Sequence, residues 1–161
     1  MKNTYLGIVV VALATFVGQA ALAVESRDLL SIAKSKPQFS TLAKAIEAAG
    51  LAGTLQTGKG FTLFAPTNDA FAKLPAADLE MLLKPENKDK LVAVLTHHLV
   101  EGRGRTGDEL RRKREFRSVQ GSAIDMALVR GNLRADGAKV GSEIDASNGT
   151  IFSVDSVMLP N

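Results

Sequence analysis

The sequence predicts an α+β domain, and three observations carry that prediction. Apolar residues recur at helical spacing as far as His97, they alternate in strand fashion after Arg114, and turn dipeptides then follow at short intervals. Helices followed by a run of antiparallel strands belong to the α+β class.

The elements can be justified in order. Met1 to Ala23 has a cation at Lys2, an apolar run from Leu6 to Val17 and small residues at Ala21-Leu22-Ala23. That is the form of an export signal. Its apolar run is shorter than the ~20 residues needed to span a bilayer. The chain contains no cysteine, which excludes disulfides and a lipid on an N-terminal Cys, so a secreted product must hold together by its core. Residues 24–161 then form one domain, with no second spanning run, linker or repeat. The expected location is secreted, either periplasmic or extracellular.

Phe39, Leu42, Ala43, Ile46 and Ala49 make a helical stripe that Gly50 stops. Thr57-Gly58-Lys59-Gly60 reads as a turn before a strand from Phe61, which Pro66 breaks. Thr67 is an N-cap, with Asn68 and Asp69 in the following first turn. Pro75 suits a first helical position, with Leu79, Leu82 and Leu83 as the buried stripe. A helix from about Asn87 to His97 turns Leu91, Val94 and Leu95 inward. Ile124, Met126 and Leu128 alternate with Asp125, Ala127 and Val129 as a strand does. Gly131-Asn132, Asp136-Gly137 and Asn148-Gly149 are turn signals. The last strand, about Thr150 to Val157, is expected to pair with Phe61 to Ala65.

Little of this suggests catalysis. His97 and His98 diverge by ~100° on a helix and cannot chelate one metal on its surface. His98 shares the stripe of Leu91 and Leu95 and reads as a buried, hydrogen-bonded core residue, whereas His97 reads as exposed. Serines are present, but nothing marks a base and an orienting group for one. Gly102-Arg103-Gly104-Arg105-Thr106-Gly107 matches G-x-G-x-x-G, with Asp125 near the offset of a ribose-binding acid. The string means a dinucleotide site only between a buried strand and an amphipathic helix. Here Arg111-Arg112-Lys113-Arg114 follows, so a loop is expected, and no cofactor and no metal is implied.

The charge is polarised. Arg103, Arg105, Arg111, Arg112, Lys113, Arg114 and Arg117 face only Asp108, Glu109 and Glu115 between positions 103 and 117, a local excess of 7 − 3 = +4. Without Lys2 the chain carries 19 − 17 = +2. A patch of this kind suits an acidic polysaccharide, lipopolysaccharide, an anionic lipid surface or a protein, or else it serves solubility alone. So small a net charge does not imply nucleic acid. Tyr5 is the only Tyr and there is no Trp, so aromatic platforms for sugars or single strands are scarce.

Two stretches, FTLFAPTNDAF (Phe61 to Phe71) and NGTIFSVDSVMLP (Asn148 to Pro160), resemble the two signature boxes of the fasciclin domain. Phe39 to Leu51 resembles its opening helix, Thr96 to Gly102 its central tyrosine-histidine segment, and Val119-Gln120-Gly121 the turn before its middle hairpin. The resemblance covers Asp28 to Pro160. It implies a fasciclin-like fold: an antiparallel β-wedge with several helices packed around it. It also implies a non-catalytic adhesion module contacting cell-surface or matrix components. Thr67, Asn68, Asp69, His98, Asn148 and Gly149 match the pattern, while His97 stands where the family has tyrosine and Phe152 where it often has histidine. The tyrosine-histidine neighbourhood serves integrin recognition in animal members, and the missing Tyr argues against that here. Some fasciclin-like proteins of algae bind carotenoids, which implies an alternative role as carrier of a small apolar ligand. The six Phe after the signal and the Met residues could line such a groove, although the core is their simpler use.

Overall fold

A computed structural model describes residues 27–57, 60–102 and 107–160. The expected signal (1–23), Gly58 and Lys59 of the expected turn, and Arg103 and Arg105 of the basic cluster lie outside these residues.

Three helices open the described chain. Helix α1 (Leu29–Ser35) is capped by Asp28, whose carboxylate accepts from Ser31 N at 2.8 Å. Helix α2 (Ser40–Ala49) ends at Gly50, whose φ of 72° supplies the left-handed residue of a helix stop. Helix α3 (Ala52–Thr57) leads to strand β1 (Phe61–Pro66). Helices α4 (Asn68–Ala72), α5 (Ala76–Leu83) and α6 (Lys88–His97) follow, then strand β2 (Leu99–Glu101), helix α7 (Gly107–Arg112) and strand β3 (Glu115–Arg117). The chain closes with β4 (Ala123–Val129), β5 (Asn132–Ala135), β6 (Ala138–Ala146) and β7 (Gly149–Val154).

The seven strands form one sheet in the order β2-β1-β7-β6-β5-β4-β3. The closing strand pairs with Phe61–Pro66 as expected, but the pair is parallel, running from Phe61↔Gly149 to Pro66↔Val154. Every other pair of neighbours is antiparallel. A parallel pair needs a long crossover, and everything from α4 to β6 serves as one. At the far edge the sheet curls back. Val100 bridges Ser118, and Val119 N donates to Leu99 O at 2.7 Å, so the two edge strands meet.

Side-chain alternation on β1 and β7 feeds two cores. Leu63, Ala65 and Ile151 point to the helices, joining Leu30, Phe39, Leu42, Ile46, Leu91 and Leu95. Phe64, Phe152 and Val154 point into the curl of the sheet, joining Leu110, Phe116, Ile124, Met126 and Met158. Five of the six Phe after the signal are buried and Phe61 is half-buried. They serve the cores, and Phe152 also borders a small cleft beside the β4–β5 turn.

Some local expectations shift. The β4–β5 turn falls on Arg130-Gly131 (φ 51° and 79°), one residue earlier than Gly131-Asn132, while Asp136-Gly137 (φ 47° and 83°) is the expected β5–β6 turn. Both residues of each pair are left-handed, as a type I′ hairpin requires. Pro75 sits just before α5 rather than inside it. Leu79 and Leu82 are half-buried, but Leu83 is 37% exposed, because α5 lies on the outside and buries no residue fully. Ile124 and Met126 are buried, but Leu128 is 57% exposed, because β4 runs beyond the core that covers its first half.

Candidate functional site

The positions that match the family pattern are occupied by structural work. Thr67 Oγ1 accepts from Ala70 N at 3.3 Å and caps α4. Asn68 reaches across to α2, whose N-cap residue Phe39 makes no side-chain capping bond. Its Oδ1 accepts from Thr41 N at 3.1 Å and its Nδ2 donates to Pro37 O at 2.9 Å. Asp69 is exposed in the first turn of α4. Asn148 Oδ1 accepts from Leu29 N at 3.0 Å, and its Nδ2 donates to Leu55 O at 2.6 Å. Gly149 packs against the β1 backbone so closely that a Cβ would stand 1.9 Å from Phe61 O.

His98 is fully buried, as its stripe predicts. Met158 N donates to its Nε2 at 3.0 Å, so that nitrogen holds a lone pair and Nδ1–H donates to Val94 O at 2.7 Å. Burial pushes the imidazole down to about 4, against the opposing pull of the Val94 carbonyl. The ring is a neutral pin between the end of α6 and the C-terminal segment.

His97 corrects the expectation of exposure: it is 2% exposed. At the last position of α6 its ring turns under the sheet, where two turns supply partners. Nδ1 lies 2.6 Å from Ser122 Oγ, beyond β3, and Nε2 lies 2.8 Å from Asp136 Oδ2 at the β5–β6 turn. Asp136 Oδ1 also accepts from Asp125 N at 2.7 Å, which helps hold Asp136 in its left-handed conformation. Ser122 and Asp136 were invisible to sequence reasoning, since they lie 25 and 39 residues from His97. The one available signal was an Asp-Gly turn placing a carboxylate at a hairpin corner.

Hydroxyl, imidazole and carboxylate stand here in the order of a hydrolytic triad, but their surroundings are those of a clamp. The neighbouring cleft of about 370 Å³ is lined by Val100, Glu101, Arg117, Ser118, Val119 and Gly121, not by Ser122 or His97. The N–H groups of Ser118, Val119 and Gly121 bond to Ser122 O, Leu99 O and Ser118 O. They are therefore not free to stabilise an oxyanion.

The basic cluster is placed differently. Leu110 and Phe116 are buried and anchor the segment, while Arg111, Arg112, Lys113, Arg114 and Arg117 are all exposed. None of these five forms an ion pair among the described residues. Lys113 Nζ lies 5.5 Å from the Phe116 ring centre, a cation–π contact. Strand β2 has three residues and α7 only six, so the glycine string around Gly102 lacks the strand and helix that a dinucleotide site requires. No group of three or more His, Cys, Asp or Glu suited to a metal occurs among the described residues. An apolar hollow of about 190 Å³ lies between α5, α6 and Leu159, lined by Leu74, Met81 and Leu82. It is smaller than the ~300–1,000 Å³ of ordinary ligand sites.

Fold, landmarks and family pattern converge. A sequence model of the fasciclin domain matches residues 37–160, and the chain belongs to that family. It is 43% identical over 133 residues to protein sll1483 of Synechocystis sp., covering 82% of this chain and 73% of that one. It is 31% identical over 150 residues to the cell surface glycolipoprotein MPB83 of Mycobacterium bovis, covering 89% and 66%. The fold matches a FAS1 domain pair from the insect cell adhesion molecule Fasciclin I with a TM-score of 0.73 at 17% identity, over 82% of this chain and half of that one. No helix among the described residues is long and apolar enough to cross a membrane.

Proposed function

We propose that this protein is a secreted, non-catalytic interaction module that attaches to anionic components of a cell surface or matrix through its basic cluster. One observation carries the reading: Arg111, Arg112, Lys113, Arg114 and Arg117 are exposed together and lack acidic partners among the described residues. Side chains bound up in the fold cannot also grip a partner, and the family-pattern positions are mostly bound up in this way. The relatives named as a cell surface glycolipoprotein and a cell adhesion molecule support the direction of the proposal. Only buried or half-buried Phe and a small hollow stand behind the apolar-carrier alternative.

The test is binding of the protein to intact cells and acidic exopolysaccharide from its own source, at low and high salt. Contacts with exposed cations weaken with salt, since the Debye length is about 8 Å at physiological strength. Changing Arg111, Arg112, Lys113 and Arg114 to Gln should abolish binding and leave the fold intact. Unchanged affinity overturns the proposal.

A further inference from the structure

The end of the β4–β5 hairpin is apolar without structural need. Leu128 is 57% exposed and Val129 44%. Consecutive strand residues point to opposite faces, so the hairpin end is apolar on both sides. Arg130 follows in the type I′ turn, also exposed. The hairpin is held rigidly by Leu128↔Leu133 and Val129↔Asn132 pairing.

The basic cluster lies against this same end. Strand β3 pairs antiparallel with β4 through Glu115↔Asp125. The ladder runs one step further, with Met126 N donating to Arg114 O at 2.7 Å. From there the chain back through Lys113, Arg112 and Arg111 heads toward the hairpin turn. Arg111 lines one cleft with Gly131 and Asn132 of that turn. Arg130 thus adjoins Val129 in the chain, Arg111 borders the turn, and Arg112, Lys113 and Arg114 lie on the segment that joins Arg111 to β3. Glu143 is the acid in that cleft, and its carboxylate lies 3.3 Å from Gly107 N, from which it accepts.

We infer that this end of the sheet docks on an anionic lipid bilayer, with the cations at the headgroup phosphates and Leu128 and Val129 dipping into the acyl boundary. The inference rests on the proposed role of the basic cluster and names its partner. Peripheral anchors need both ingredients, a shallow apolar insertion and basic residues around it. An acidic polysaccharide would use the cations but has no use for two apolar side chains on opposite faces. Sugar sites favour aromatic platforms, and beyond position 5 the chain has neither Tyr nor Trp.

The absence of cysteine makes the test site-specific. Full chains carrying Leu128→Cys, or Glu86→Cys on the helical side, take one environment-sensitive fluorophore each. They are mixed with phosphatidylcholine vesicles with or without phosphatidylglycerol. The label at 128 should shift to the blue only with phosphatidylglycerol, and the label at 86 should not move. The readout is local, so the apolar run from Leu6 to Val17 cannot mimic it. The pair Leu128→Ser and Val129→Ser should weaken affinity for the anionic vesicles by roughly tenfold or more. Vesicle binding that leaves the label at 128 unshifted overturns the inference. If the four Arg/Lys→Gln changes still abolish that binding, the basic-cluster reading survives. Capture by acidic polysaccharide but not by vesicles has the same meaning. Binding to neither overturns both.

Discussion

Asn148→Ala tests whether the second family box is a clasp. Asn148 precedes β7, yet its side chain reaches residues 119 and 93 positions away. Its Oδ1 accepts the N–H of Leu29 at the start of α1, one of the donors that no helix satisfies by itself. Its Nδ2 donates to Leu55 O at 2.6 Å and Gln56 O at 3.5 Å, carbonyls near the end of α3. Alanine removes both links and leaves partly buried partners unpaired. At ~1 kcal/mol per hydrogen bond, plus ~1–3 kcal/mol where a partner is stranded from water, the loss is about 2–4 kcal/mol. Urea unfolding followed by circular dichroism reads it directly. With a slope of ~1–3 kcal/mol/M, the midpoint should fall by about 1–2 M. Asn148→Asp sharpens the test, because it keeps the acceptor for Leu29 but turns a carboxylate toward two carbonyls. It should be no more stable than the alanine variant. A midpoint shift below ~0.3 M for Asn148→Ala at unchanged slope would refute the clasp.

Two further predictions follow from the same frame. Gly149→Ala places a Cβ 1.9 Å from Phe61 O and 3.0 Å from Phe61 C, both backbone atoms, so the parallel β1–β7 pair must part; melting should drop by about 10 °C or more, and a variant melting with the parent contradicts this register. His98 is neutral in the fold with its value lowered from 6.5 to about 4, so the unfolded chain binds its proton first and stability falls as pH drops through that window. The loss reaches about 3 kcal/mol once pH lies below both values, and His98→Leu, though weaker at neutral pH, should show a flatter acid limb; parallel limbs would sink the assignment. Asp155 is held below 3.8 because Lys139 N–H and the Lys73 ammonium outweigh the desolvation that opposes them, and its share is lost only at more acid pH.

The legible parts of this chain are those written in local chemistry. Gly50 stops α2 because a left-handed residue closes that helix, and the largely apolar run from Phe61 to Ala65 before Pro66 becomes β1. His98 was legible because its stripe already contained Leu91 and Leu95. His97 was not, since a residue at a helix end points toward whatever the rest of the chain brings there, and its partners arrive from two distant turns. Leu128 escaped for a similar reason: alternation tells which face a side chain takes, not where the opposing core stops. The parallel direction of β1 and β7 was hidden too, because pairing preference reads the same in either direction.

The family pattern also says something about where recognition can lie. Thr67, Asn68, His98, Asn148 and Gly149 are spent on caps, a buried pin, a clasp and a close backbone approach. Residues so engaged within the fold offer little to a partner. What remains adjustable is the solvent-facing end of the sheet. There a six-residue helix and a hairpin tip hang on Leu110, Phe116 and Ile124, and the side chains between those anchors can change without disturbing either core. A related chain could keep every framework residue, replace Arg111 to Arg114 and Leu128 to Arg130, and attach to a different surface. Sequence identity spread along the framework therefore predicts shared architecture better than shared partners, and binding must be tested at the end where this chain carries its exposed basic cluster.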